Sequence, residues 1–234
     1  MCVEVSTFMT SPISSNCVVY PSSETDVSIT DIVGRDMVVD VSEIHLEAFS
    51  GYLNARLGET YARALIHWFS NQEGAIALAA MDRDHRVIGY AIGAPPALAM
   101  KLRSALVWVT ARGIILHPWV ILDSRLWKVG YARFMKKGDA GEASRGPDLP
   151  EPVMSLFGIG VKPSHRQRGI GRRLLLAFEE RAKLLNARAL LLWVYADKTT
   201  TRRLYEKCGW QSCPGSLEST GVTKYVRLLD PNCV

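Results

Sequence analysis

The stretch Met154-Ser155-Leu156-Phe157-Gly158-Ile159-Gly160-Val161-Lys162-Pro163-Ser164-His165-Arg166-Gln167-Arg168-Gly169-Ile170-Gly171-Arg172-Arg173-Leu174-Leu175 holds a strand, a loop and the start of a helix. The apolar run Val153 to Val161 predicts the strand. Lys162 to Arg168 form the loop, and a helix is expected over Gly171 to Leu185. Leu174, Leu175, Phe178, Ala182 and Leu185 make its apolar stripe, with Glu179, Glu180, Arg181 and Lys183 turned to water. Gly169 and Gly171 lack a Cβ, so the backbone can approach a ligand closely there. First-turn N–H groups have no partner inside a helix, and the helix dipole adds partial positive charge. A diphosphate fits such a place, and Arg166, Arg168, Arg172 and Arg173 surround it with charge. Leu174 stands where a dinucleotide fingerprint needs its later glycine. No Gly-Lys-Ser/Thr follows either Gly-x-Gly, which excludes a Walker-type loop. Taken alone, a Gly-x-Gly more often describes a tight turn.

Outward from this unit, Ala189 to Val194 is uniformly apolar, as for a strand buried on both faces. Thr199 to Lys207 reads as a short helix, with Thr199 as its cap and Gly209 as its stop. Val222 to Leu229 reads as a last strand. Upstream, Val27 to Val33 is a weakly alternating strand. Asp36 to Phe49 is a helix with Val39, Ile44 and Ala48 on one side, and Glu59 to Phe69 a second with Ala62, Leu65 and Phe69. Ala75 to Met81 and Val87 to Ala94 flank the polar loop Asp82 to Arg86 as a hairpin. Ala97 to Val109 returns to helical spacing through Leu98, Leu102, Ala105 and Val109. Residues 138–152 are rich in Gly and Pro and read as a surface loop.

The order Val161-Lys162-Pro163, Arg166-Gln167-Arg168-Gly169-Ile170-Gly171-Arg172-Arg173-Leu174-Leu175 and Leu204-Tyr205-Glu206-Lys207-Cys208-Gly209-Trp210 resembles the GNAT superfamily of acyl-CoA-dependent N-acyltransferases. The resemblance is firm over Met154 to Trp210 and looser over Val27 to Ala94. It implies an α/β (α+β) fold: a mixed, mostly antiparallel central sheet, flanked by helices and splayed at the fourth and fifth strands. It also implies acetyl-CoA as acyl donor. Pantetheine would pair like a strand near Phe157, Ile159 and Val161. The diphosphate would rest on Arg166, Gln167, Arg168, Gly169, Ile170, Gly171 and Arg172, and a main-chain N–H near Ile159 would polarise the acetyl carbonyl. Tyr205 matches the superfamily's usual acid. Glu151, just before the central strand, matches the region of its carboxylate base, although a solvated loop carboxylate accounts for it equally. His45 and Glu47 could line the acceptor pocket. The sequence departs from the superfamily at Ala196-Asp197-Lys198-Thr199-Thr200, where an Asn often contacts the cofactor.

The whole chain is read as a tail over 1–26 and one N-acetyltransferase domain over 27–234, with a helical insertion at about 97–137. Its 48% apolar and 22% charged residues are ordinary for a globular protein, and a net charge of +5 suits a phosphate-bearing ligand. Basic residues form no long run, so no nucleic-acid partner is expected. Five cysteines without a Cys-x-x-Cys spacing, and no basic segment leading a long apolar run at Met1 to Pro21, lead us to expect a cytoplasmic protein. Ser104 to Leu122 has the length of a membrane span, but Arg112 near its centre costs about 3 kcal/mol on insertion scales, so no spanning helix is expected. No metal site is expected.

The acceptor is read as a primary amine of a small molecule, an amino sugar among the choices. A peptide or protein amine is the second reading and a non-catalytic CoA-binding domain the third. Trp108, Trp119, Trp127, Tyr131 and Phe134 suit either core packing or an apolar surface, the latter open to a membrane-linked substrate or a homodimer contact.

Overall fold

The computed structural model of the chain describes residues 27–50, 57–116, 149–213 and 221–229. The tail expected over 1–26, the part of the insertion beyond 116 with Trp119, Trp127, Tyr131 and Phe134, and residues 138–148 of the Gly- and Pro-rich loop lie outside the described residues.

Seven strands form one sheet in the order β1-β2-β3-β4-β5-β7-β6. They are β1 (Ser28–Asp31), β2 (Ile76–Met81), β3 (Val87–Ala94), β4 (Val153–Val161), β5 (Ala189–Tyr195), β6 (Gln211–Cys213) and β7 (Val222–Leu228). Every neighbouring pair is antiparallel except β4 with β5. The expected hairpin is present: Asp82 Oδ1 accepts the N–H groups of Asp84 and Arg86, fixing the turn between β2 and β3. The three-residue β6 is too short to carry a periodic signal, and its existence rests on pairing with β7.

The helices are α1 (Gly34–Ala48), α2 (Glu59–Asn71), α3 (Ala99–Leu116), α4 (Ile170–Leu184) and α5 (Thr199–Lys207). On one face of the sheet α4 and α5 bury Leu174, Leu175, Phe178 and Tyr205 against Met154, Leu156, Leu190 and Leu192. On the other, α1, α2 and α3 gather Val41, Ile44, Ile66, Phe69, Leu102 and Leu106 around Tyr90 and Ile92 of β3. Each fully buried Leu, Ile or Phe among these contributes about 1.5–3 kcal/mol.

Several local expectations change. The buried stripe of α1 is Val38, Val41, Ser42, Ile44 and His45 rather than one through Val39 and Ala48. Helix α3 continues past Val109 to Leu116, and at Gly113 the Leu57 carbonyl comes within 3.0 Å of where a Cβ would stand. Its buried residues are Leu102, Leu106 and Gly113, and Ala105 is exposed. In α4, Leu185 is not buried, whereas Glu179, expected to face water, is. The Trp210 indole donates to its Oε1 at 2.9 Å, and Arg227 lies 3.3 Å from Oε2. β5 is not covered on both faces along its length, since Trp193 is 46% exposed. Lys198, not Thr199, takes the N-cap of α5, without a side-chain cap bond. Gly209, at φ +81°, does end that helix.

Candidate active site

The parallel pairing of β4 with β5 covers only Val153↔Ala189, Met154↔Leu190 and Ser155↔Leu191. Beyond Ser155 the strands part, although β4 runs on to Val161 and β5 to Tyr195. The opening begins at an irregularity. Gly158 pairs with Ile92 and Leu156 with Gly93, leaving Phe157 as an extra residue on β4. Such a bulge turns neighbouring groups out of the strand's alternation. Leu156, Ile159 and Val161 pack with the α4 side, whereas the Phe157 ring lies 5.2 Å from Phe69 of α2 and Gly158 faces Tyr90. Phe157 and Trp193 are the exposed aromatics on the two strands that part, at 42% and 46%. Gly93 is forced by the same irregularity, because a Cβ there would stand 2.5 Å from both Phe178 and the Ser155 carbonyl.

The loop from β4 to α4 lies at the same end of the sheet. Pro163–His165 form a 3₁₀ turn, and the Arg166 Nε donates back to the Val161 carbonyl at 3.1 Å. Gln167 (φ +62°) and Gly169 (φ +75°, ψ −1°) then take left-handed angles, and α4 begins with no side-chain cap. Gly169 supplies the carbonyl that receives the Arg173 N–H at 3.0 Å. Among the described residues, the main-chain N–H groups from Gln167 to Arg172 have no protein partner, and Gln167, Arg168 and Gly169 are exposed. Arg173, by contrast, points away and donates to the Val27 carbonyl at 2.6 Å. Gly171 serves a second purpose. Leu204 of α5 would meet its Cβ at 3.4 Å, so the glycine keeps α4 and α5 close.

Tyr205 lies in α5 on the α4 side of the sheet, buried, with its ring 5.9 Å from Trp210 and from Tyr225. The Trp210 bond to Glu179 ties the end of α5 to α4 and so fixes this aromatic group. Burial raises the Glu179 carboxyl pKa, opposed in part by Trp210 and Arg227. Glu151 stands elsewhere. Its Oε2 accepts the Val153 N–H at 3.0 Å, at the end of β4 that is still paired with β5. Pro152 and the four strand residues Val153 to Leu156, the latter about 13 Å of chain, separate it from Phe157.

One buried pair was not legible as such. Tyr90 of β3 fills the space left by the missing Cβ atoms of Gly158 and Gly160. Its ring lies 2.7 Å from where a Gly160 Cβ would stand, and its hydroxyl 3.4 Å from that of Gly158. The hydroxyl pairs with His45 Nδ1 at 2.6 Å, and His45 stacks on Phe49 at 4.8 Å. Desolvation brings the His45 pKa down to about 4, so the ring is neutral at pH 7. Burial pushes the Tyr90 pKa well up, and repulsion from an ionised Tyr205 would push it further. The sequence signal was a tyrosine in a glycine-rich strand pair. A cavity of about 530 Å³ between the start of α1 and the end of α2 is lined by none of these groups.

Residues 38–210, well over half of the chain, match the model of the acetyltransferase (GNAT) family, and the chain belongs to that family. It is 35% identical over 95 residues to N-alpha-acetyltransferase 40 of Saccharomyces cerevisiae, a stretch covering 37% of this chain and 33% of that protein. It is 37% identical over 82 residues to the mycothiol acetyltransferase of Kineococcus radiotolerans, covering 35% and 22%. These matches span a third or less of the relatives' lengths. In fold, the chain is similar to the PaiA N-acetyltransferase of Thermoplasma acidophilum, solved in complex with coenzyme A: TM-score 0.53, 14% identity, 87% of this chain and 99% of that one.

Proposed function

We propose that the chain transfers an acetyl group from acetyl-CoA to a primary amine by direct attack. The observation that carries this reading is the meeting of two features: an opening between β4 and β5, and unpaired main-chain N–H groups from Gln167 to Arg172 at its mouth. Those amides, with Arg166, Arg168 and Arg172 around them, hold a diphosphate. The free edge of β4 at Phe157, Ile159 and Val161 receives a pantetheine chain as a strand would. Acetyl-CoA bound there supplies an activated thioester. A main-chain N–H of β4 near Ile159 donates to the carbonyl oxygen as negative charge develops. Tyr205 returns a proton to the departing sulfur.

The attacking nitrogen must first lose its proton. Glu151 reaches it only through a chain of waters, because its carboxylate is engaged at the paired end of β4. The acceptor approaches from the α1 and α2 side, between the exposed rings of Phe157 and Trp193. We read it as a small amine, with amino sugars as first candidates for aromatic stacking. A peptide α-amine is the second reading, favoured by the likeness to N-alpha-acetyltransferase 40. The free thiols of Cys208 and Cys213 fit a reducing, cytoplasmic setting.

A thiol-release screen with acetyl-CoA tests this. Amino sugars, polyamines, amino acids and peptides with a free N-terminus are offered in parallel. Release of coenzyme A that depends on a small amine supports the first reading, and release with peptides alone supports the second. Binding of acetyl-CoA without release under any amine returns the chain to a non-catalytic CoA-binding domain.

A further inference from the structure

Helix α3 presents its polarity the wrong way round for a helix facing water. Leu102, Leu106 and Gly113 make a narrow stripe against the rest of the protein. A surface helix ordinarily turns polar residues outward from such a stripe. Here Met100, Trp108 and Ile115, eight and seven residues apart and so on one face, are 67%, 83% and 77% exposed, and Val107 beside them is 54% exposed. Lys101 and Arg112 border this outer stripe on one side and Arg103 on the other, all exposed. The helix contains no acidic residue.

The charge is a property of the region. Residues 97–138 hold eight Lys or Arg against one Asp, whereas the rest of the chain holds 20 against 22. Three of those cations, Lys101, Arg103 and Arg112, lie on α3 itself, beside the apolar stripe. That decides between occupants. A second copy of the chain, docked through this face about a two-fold axis, would set Lys101, Arg103 and Arg112 against themselves, and like charges there oppose association. A nucleic acid would meet the cations but would have to cover Met100 and Ile115 with phosphate. An anionic bilayer satisfies both features, since a basic helix with an apolar, Trp-bearing face lies in the interface plane with cations at the headgroups. Among the described residues no helix is long and apolar enough to cross a membrane, so the contact is peripheral.

We propose that α3 docks this protein flat onto an anionic lipid surface, with Met100, Trp108 and Ile115 entering the acyl boundary and Lys101, Arg103 and Arg112 meeting the lipid phosphates. The proposal is independent of the acetyl-transfer reading, because its readout is lipid binding alone.

The test is co-sedimentation of the full chain with vesicles of phosphatidylcholine containing phosphatidylglycerol, against vesicles of phosphatidylcholine alone. Binding is expected to the anionic vesicles and to weaken as salt rises. The Lys101→Gln, Arg112→Gln pair should weaken it about 25-fold, about fivefold for each cation removed. Trp108→Ser with Ile115→Ser should weaken it by on the order of tenfold. Since both side chains are exposed, the melting temperature without lipid should not move. Failure of the native protein to bind anionic vesicles overturns the proposal. So does unchanged binding by the Trp108→Ser, Ile115→Ser variant, which would leave only unspecific charge attraction. If residues 117–148 cover the stripe, or an acidic macromolecule is its occupant, the native protein binds no vesicles. In the covered case the serine variant also melts lower.

Discussion

Replacing Gly169 separates the geometry of the proposed anion site from its electrostatics. The residue sits at φ +75° with nothing within 4 Å of where a Cβ would stand. Gly169→Ala therefore meets no clash and bears only the backbone cost of a left-handed L-residue, about 1–2 kcal/mol. For a chain of this size that lowers the melting temperature by roughly 2–8 °C. Gly169→Glu bears the same backbone cost and adds a negative charge where the diphosphate should rest. Unit charges about 4 Å apart at an effective dielectric of about 20 repel by about 4 kcal/mol, nearly a thousandfold in affinity. Thermal melts with and without acetyl-CoA read both effects. At a ligand concentration about 100 times its dissociation constant, the native protein gains about 2.7 kcal/mol, several degrees of melting temperature. The glutamate variant should gain nothing measurable at the same concentration. The alanine variant should keep a reduced shift, because its methyl stands between amides and anion. Without ligand the two variants should melt within a degree or two of each other. A folded Gly169→Glu protein with the native ligand shift would refute the reasoning.

Tyr205→Phe should lower kcat about 100-fold, at the low end of general acid catalysis, while leaving the KM for acetyl-CoA nearly unchanged; equal turnover would remove the hydroxyl from the reaction. His45 has a folded pKa of about 4 against 6.5 for the free side chain. Below pH 6.5 the unfolded chain therefore gains a proton that the folded one refuses. Its neutral burial is accommodated fully above pH 6.5, and about 3 kcal/mol is lost as pH falls to 4. Denaturant melts across that range should show this loss in the native protein and a shallower one in His45→Leu; identical slopes would contradict the assignment. Gly93→Ala should cost about 3 kcal/mol, since the Ser155 carbonyl at 2.5 Å is backbone and cannot step aside. A melting temperature unchanged by that substitution would mean the irregularity in β4 does not depend on close approach there.

The strand β4 was legible because its apolar run ends at Lys162-Pro163, and the core of α4 because Leu174, Leu175, Phe178 and Ala182 repeat at helical spacing. The left-handed turn into α4 was legible for a local reason, as glycines and a helix start lie within a few residues of one another. What escaped depends on partners far along the chain. Glu179 looks like a water-facing residue until Trp210 and Arg227 are brought to it from 31 and 48 positions away. His45 and Tyr90 are 45 residues apart, and only the pairing of β3 with β4 reveals why Gly158 and Gly160 must be small. The exposure of Trp193 follows from the parting of β4 and β5, which a uniformly apolar run cannot announce. The stretch of α3 beyond Val109 packs Gly113 against Leu57, a partner 56 positions away that helical spacing cannot show.

The account rests on the amides of Gln167 to Arg172 and the parted strands beside them acting as one ligand site. A crystal structure of the chain grown with coenzyme A measures this directly. The expected result is a diphosphate on those N–H groups, with the pantetheine arm lying along β4 from Val161 toward Phe157. Coenzyme A bound elsewhere, with β4 and β5 drawn together past Ser155, would contradict it.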